Sequence, residues 1–133
     1  MLSTRVMEQK SIRVLIAENH RDLSEVMSQL IDTEPDMHCV GQVTEAGEVL
    51  LKARESSANA VILDLTLQGG SGFPLIEQLT TAMPELRVIV FSGLANSEEI
   101  SREAKRRGAA AYVCKGSDIQ VLFDALRTPA TAS

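Results

Sequence analysis

Apolar and polar positions along this chain follow two alternating rhythms. Short, nearly unbroken apolar runs appear at Ile12-Arg13-Val14-Leu15-Ile16-Ala17, at 37–43, at Ala60-Val61-Ile62-Leu63, at 86–91 and at 110–114. Runs of this length, rich in β-branched residues, predict strands buried on both faces. Between them lie stretches with three-four apolar spacing, which predicts helices with one inward face. The first spans about 21–34, with Leu23, Val26, Met27, Leu30 and Ile31 inward, and Pro35 marks its end. The second spans about 45–57, with Ala46, Val49, Leu50 and Ala53 inward. The third spans about 73–82, with Leu75, Ile76 and Leu79 inward and Ser71 as cap. The fourth, about 97–107, is capped by Asn96 or Ser97 and ended by Gly108, and its apolar face is thin (Ile100, Ala104). The fifth, about 117–128, opens at Ser117 or Asp118 and turns Ile119, Leu122, Phe123 and Leu126 inward.

Strands separated by helices imply a parallel sheet with right-handed crossovers. Five such units predict an α/β fold, a five-stranded parallel sheet wound on both faces. The 133 residues fit one domain, and 44% apolar residues suffice for its core. Residues 1–10 read as an N-terminal extension, 11–128 as the domain, and 129–133 as a tail or the start of a linker.

Composition narrows the function. The net charge is −5, so a general attraction for nucleic acid is not expected. Aromatics are 3% with no Trp, which leaves little to stack on bases or flavins. No apolar run reaches the ~20 residues of a membrane helix. The first ten residues lack the apolar core of a secretory signal, so a cytoplasmic protein is expected. Cys39 and Cys114 fall in strand-like stretches and read as reduced core thiols.

The strand ends carry the candidate chemistry. The first strand runs into Glu18-Asn19, the third into Asp64, the fourth into Ser92-Gly93 and the fifth into Lys115. Carboxyl ends of parallel strands are where open α/β sheets bind ligands. Carboxylates, an amide, a hydroxyl and an amine gathered there can hold a divalent cation and a phosphoryl group. His20 has no partner histidine at ligand spacing and reads as structural or exposed. Arg102, Lys105, Arg106 and Arg107 read as a solvated face that suits the helix dipole, with a partner or homodimer surface as the sharper reading.

Taken in order, these residues resemble the receiver domain of bacterial two-component response regulators, a CheY-like (βα)5, flavodoxin-like sandwich. Glu18-Asn19 stands at the family's acidic pair, and Asp64 at its phosphoacceptor. Asp64-Leu65-Thr66-Leu67-Gln68-Gly69-Gly70-Ser71-Gly72 is similar to the loop after that aspartate. Ser92 matches the switch hydroxyl, Tyr112 the switch aromatic and Lys115 the family lysine. Glu18-Asn19-His20 and Gly116 resemble the branch often fused to LuxR/NarL-type DNA-binding domains.

The resemblance implies a signalling domain rather than an enzyme. Asp64 would accept a phosphoryl group from a sensor histidine kinase. Mg²⁺ would be held by Glu18, Asp64, the Thr66 carbonyl and the Asn19 amide, with Lys115 neutralising phosphoryl charge. Ser92 and Tyr112 would then change the face made by helix four, strand five and helix five. A C-terminal DNA-binding output domain would lie outside this chain.

Asn19 departs from the pattern, because the family usually has aspartate there. Losing one charge at ~4 Å weakens attraction by up to ~4 kcal/mol per metal charge at a dielectric of ~20. Weakened Mg²⁺ affinity and slow phosphorylation are therefore expected. The alternative is an atypical receiver that acts as a phosphorylation-independent interaction module. Gln68 and Gly116 replace prolines, so the cis bond seen in the family before the second is not expected. A flavodoxin would need a hydroxyl-rich loop after strand one, and a haloacid-dehalogenase phosphatase an aspartate where Thr66 stands.

Overall fold

The computed structural model describes residues 12–67, 72–93 and 97–128. Five strands, β1 (Ile12–Ala17), β2 (Met37–Val43), β3 (Ala60–Leu63), β4 (Arg87–Ser92) and β5 (Ala111–Cys114), alternate with five helices. The helices are α1 (Arg21–Asp32), α2 (Val49–Glu55, after a 3₁₀ turn at Ala46–Glu48), α3 (Gly72–Ala82), α4 (Ser97–Arg106) and α5 (Ile119–Arg127). The strands form one parallel sheet in the order β2-β1-β3-β4-β5. This is the flavodoxin-like order, and its direction reverses between β1 and β3. The predicted fold is borne out.

Strand alternation divides the core. Leu15, Ala17, Val61, Leu63, Val88 and Val90 face one side, packed by Val49, Ala53, Leu75, Ile76, Leu79 and Ala104 of α2, α3 and α4. Val14, Ile16, Ile62, Ile89, Phe91 and Val113 face the other, packed by Met27, Ile31, Leu122, Phe123 and Leu126 of α1 and α5. The inner strands β1, β3 and β4 are largely buried on both faces, which is why they read as nearly continuous apolar runs.

Several boundaries and faces differ from expectation. Helix α1 ends at Asp32, because the Thr33 hydroxyl donates to the Leu30 carbonyl at 2.6 Å and Pro35 follows. Its buried stripe is Ser24, Met27 and Ile31. Val26 (51% exposed) and Leu30 lie about one residue, roughly 100°, off that stripe and face outward. Ser24 belongs inside because its hydroxyl donates to Gln42 Oε1 at 2.7 Å. Helix α2 stops at Glu55, where the Ser56 hydroxyl bonds back to the Lys52 carbonyl and Ser57 takes φ +55°.

Among its described side chains helix α4 buries only Ala104 fully, as its thin face predicts, and Gly108 (φ +116°) follows its end. Arg107 adds an anchor the apolar pattern does not carry: it lies 5.4 Å from the Phe73 ring centroid and 3.3 Å from Glu77. Helix α5 starts at Ile119, with the Asp118 carboxylate accepting from Gln120 N–H at 2.9 Å. Both cysteines are free thiols; Cys39 is half-buried and packs against the core, whereas Cys114 is exposed and is not a core thiol. On the edge strand β5 it is Val113 that points into the core. No described peptide bond is cis, and Gly116 takes φ +96°. Residues 1–11, 68–71, 94–96 and 129–133 and the Ser97 side chain lie outside the described portion, and with them the extension, the tail and the caps expected at Ser71, Asn96 and Ser97.

Candidate functional site

The direction reversal between β1 and β3 leaves a crevice at the carboxyl ends of these two strands. Glu18 follows the last residue of β1, and Asp64 follows the last of β3. The sheet holds them together: Ala17 pairs with Leu63, and the Asp64 N–H donates to the Ala17 carbonyl at 2.9 Å. Lys115 follows β5, and its N–H donates to the Ser92 carbonyl at 2.9 Å. Glu18 is fully buried, Asp64 is 2% exposed, and Ser92 is buried beside them in the sheet edge.

Asp64 is held at both oxygens. Oδ1 accepts from the Thr66 N–H (2.9 Å) and the Thr66 hydroxyl (2.7 Å). Oδ2 accepts from the Asn19 N–H at 3.1 Å and lies 3.3 Å from Lys115 Nζ. Burial, the largest single influence, pushes the carboxyl up. The Thr66 N–H and hydroxyl, the Asn19 N–H and the Lys115 ammonium together outweigh it and hold Asp64 below the usual carboxylate range. The group is therefore an ionised carboxylate at neutral pH.

Gly72 fixes the return of the loop after Asp64. A Cβ there would lie 2.7 Å from Leu65 Cα, and its N–H donates to the Leu65 carbonyl at 3.2 Å. Any side chain would push Leu65, and Asp64 with it, out of place.

Lys115 Nζ also donates to Glu18 Oε2 at 3.0 Å, so the ammonium bridges both carboxylates. The His20 N–H (3.0 Å) and His20 Nδ1 (2.9 Å) meet the same Glu18 oxygen. Glu18 Oε1 and Asn19 Oδ1 are shut off from solvent with no hydrogen-bond partner. Buried acceptors without donors are rare and costly, and a bound cation is one way to satisfy such an oxygen. The donor set thus fits a divalent ion, with ligand atoms of Glu18, His20 and Asp64 all within 4.8 Å of one another.

Tyr112 packs against the core face of α2, α3 and α4. Its hydroxyl is buried without a well-formed hydrogen bond. Burial first raises the phenol pKa, the Ser92 hydroxyl opposes this, and Cys114 adds to it. Tyr112 therefore stands turned inward beside Ser92.

The residues singled out in the sequence converge: Glu18, Asn19, Asp64, Thr66, Ser92 and Lys115 share one sheet edge, and Tyr112 adjoins Ser92. Two partners are absent from the sequence reading. The Thr66 side chain clamps Asp64, and Asp-x-Thr after a strand is a turn signal that could have shown it. His20 is exposed as expected, yet it is bonded to Glu18, and only the fold of the β1–α1 corner reveals this.

An ionised, buried aspartate stands beside a lysine at the switch point of a 2-1-3-4-5 sheet, an arrangement that fits a signalling receiver domain. The family model of the response regulator receiver domain matches residues 14–127, and the chain belongs to that family. Regulators of the LuxR and NarL kind are among its relatives. It is 29% identical over 122 residues to the nitrate/nitrite response regulator NarL of Escherichia coli, covering 92% of this chain and 56% of that protein. It is 23% identical over 116 residues to the transcriptional regulatory protein LiaR of Bacillus subtilis, covering 87% and 54%. A crystal structure of a LuxR-family two-component response regulator from Aurantimonas superposes with a TM-score of 0.78 at 26% identity, covering 89% of this chain and 86% of that one. The chain spans about half the length of the curated relatives it matches. Among the described residues no helix is long and apolar enough to cross a membrane.

Proposed function

We propose that this receiver domain takes a phosphoryl group on Asp64 from the phosphohistidine of a sensor kinase. The observation that carries the reading is an ionised Asp64, 2% exposed, with Lys115 Nζ 3.3 Å from Oδ2. Oδ1 is fully engaged by Thr66, whereas Oδ2 has only the two longer contacts. Oδ2 is therefore the attacking oxygen. Its bond to phosphorus forms as the P–N bond of the donor breaks, and the electron pair leaves on the imidazole. Lys115 moves its charge from the carboxylates to the phosphoryl oxygens. Glu18, Asp64, the Thr66 carbonyl and the Asn19 amide oxygen would hold Mg²⁺, which when bound neutralises phosphoryl charge.

The switch follows from the same edge. The Ser92 hydroxyl turns to a phosphoryl oxygen, which alters its relation to the Tyr112 phenol. Tyr112 packing then biases the face made by α4, β5 and α5. The output is carried by a C-terminal DNA-binding domain, as the LuxR and NarL relatives suggest, and a homodimer of the switched face is one route to it.

A second reading is favoured by one observation. Asn19 brings no charge, and Lys115 already bridges Glu18 and Asp64. A site so neutralised suits an atypical receiver that binds partners without phosphorylation. Incubation with acetyl phosphate and Mg²⁺, read by intact mass, separates the two. The phosphoacceptor reading predicts a single phosphoryl adduct that is absent in Asp64→Ala, with a change in emission of Tyr112, the chain's one tyrosine in the absence of Trp. No adduct in the wild type, but one in Asn19→Asp, supports the atypical receiver.

A further inference from the structure

Glu18 has two oxygens with different lives. Oε2 meets Lys115, the His20 N–H and the His20 ring. Oε1 is buried without a hydrogen-bond partner, and so is Asn19 Oδ1. A fully buried carboxylate with an orphan oxygen points to a missing cation, not merely to a cluster of acids.

The donor set around the Glu18 carboxylate is not all oxygen, for the His20 ring stands against its other oxygen, Oε2. His20 is two residues from Glu18, at the N-terminal corner of α1, and its side chain is 66% exposed. Its Nδ1 lies 2.9 Å from Glu18 Oε2, and a ligand atom of Asp64 completes a set within 4.8 Å. Two neighbouring ligands of one ion at bonds of about 2.1 Å sit about 3 Å apart. The imidazole already stands at that spacing, on the solvent side, where an ion arrives.

Charge decides which ion gains. With Asn19 in place of an aspartate, Glu18 and Asp64 are the two anions among these residues, and Lys115 bridges both and cancels one negative charge. Mg²⁺ binds through charge and oxygen, dehydrates reluctantly and gains little from imidazole. Ions of the zinc and cobalt class bind imidazole well and depend less on anionic charge.

We infer that His20 is a metal ligand of this site, and that with Glu18 and Asp64 it makes the site select a nitrogen-accepting first-row transition ion over Mg²⁺. This deepens the receiver reading and rests on it only in using the same crevice.

Calorimetric titration of the full chain with Zn²⁺ and with Mg²⁺ tests the inference, with Co²⁺ absorption and histidine ring NMR as direct readouts. In the wild type, the His20 ring resonances should shift on Zn²⁺ addition, and Co²⁺ should give a visible band. His20→Ala should lower Zn²⁺ affinity by about tenfold or more, about 1.4 kcal/mol, and lower Mg²⁺ affinity much less. His38→Ala, which removes the other histidine, beside Asp32, should leave the Zn²⁺ affinity of the site unchanged. Zn²⁺ binding that survives His20→Ala, or that follows His38 instead, overturns the inference. So does a His20 ring that does not respond to Zn²⁺. Labelling of wild-type Asp64 by acetyl phosphate with Mg²⁺ is read separately. An adduct with a silent His20 sinks only the ligand assignment, whereas a His20-dependent Zn²⁺ site without an adduct sinks only phosphotransfer.

Discussion

The two edges of one sheet treat their charged groups in opposite ways. At the amino edge of the strands, groups are engaged by matched partners. Asn59 Oδ1 accepts from the Arg13 N–H at 2.8 Å, and Arg13 Nε donates to the Ser57 carbonyl at 2.6 Å. Arg127 forks onto Asp36 at 2.8 and 2.9 Å and reaches Glu34 at 2.6 Å. Arg87 donates to the carbonyls of Leu126 and Thr128, closing the end of α5. At the carboxyl edge, Glu18 Oε1, Asn19 Oδ1 and Tyr112 Oη are buried without partners. The first edge is built to hold the fold. The second carries polar groups whose partners arrive with a ligand or a change of state, the local conflict expected of a functional site.

Breaking the amino edge should therefore cost stability and leave chemistry alone. Asn59→Ala strands the Arg13 N–H and should lower unfolding free energy by about 1–3 kcal/mol in urea denaturation, with phosphoryl transfer to Asp64 retained. Changing the carboxyl edge should do the reverse. Asn19→Asp should tighten Mg²⁺ binding by about tenfold or more, about 1.4 kcal/mol, and speed labelling by acetyl phosphate. Without metal it should leave the chain no more stable, because it adds a third carboxylate. Unchanged Mg²⁺ affinity in that variant would break the proposed link between Asn19 and a weak site.

The smallest effect is expected at Arg127. Its hydrogen bonds to Asp36, foremost among the influences there, hold that carboxyl below its usual range. A carboxylate whose pKa is lowered by folding adds stability above its unfolded pKa, and loses it as pH falls through the folded value. Arg127→Met should thus cost about 1 kcal/mol or less at neutral pH, since the pair is partly exposed. The penalty should fade in acid, below the carboxylate range. A penalty constant across pH would assign the effect to packing on Phe123, whose ring centroid lies 5.7 Å from the guanidinium carbon.

The same contrast explains what was legible in the sequence. The sheet was legible because its inner strands β1, β3 and β4 are largely buried on both faces and write nearly continuous apolar runs. The site was legible because it hangs on strand ends, where Glu18, Asp64, Ser92 and Lys115 interrupt those runs. Helix faces were less so: Val26 and Leu30 fit a three-four pattern but lie outside it, because Ser24 takes the inward place through Gln42. Cys114 looked like core because composition does not reveal that β5 is an edge strand. The amino-edge network and the His20 contact are meetings of residues distant in sequence or around a corner, and no local pattern encodes them.

The most direct measurement locates the phosphoryl group. Wild-type chain treated with acetyl phosphate and Mg²⁺ is reduced with borohydride, which converts an aspartyl phosphate to homoserine, and its peptides are sequenced by mass spectrometry. Homoserine is expected at position 64 alone. Homoserine at another aspartate, or none at any position while Asn19→Asp is labelled at 64, contradicts a working phosphoacceptor in this chain.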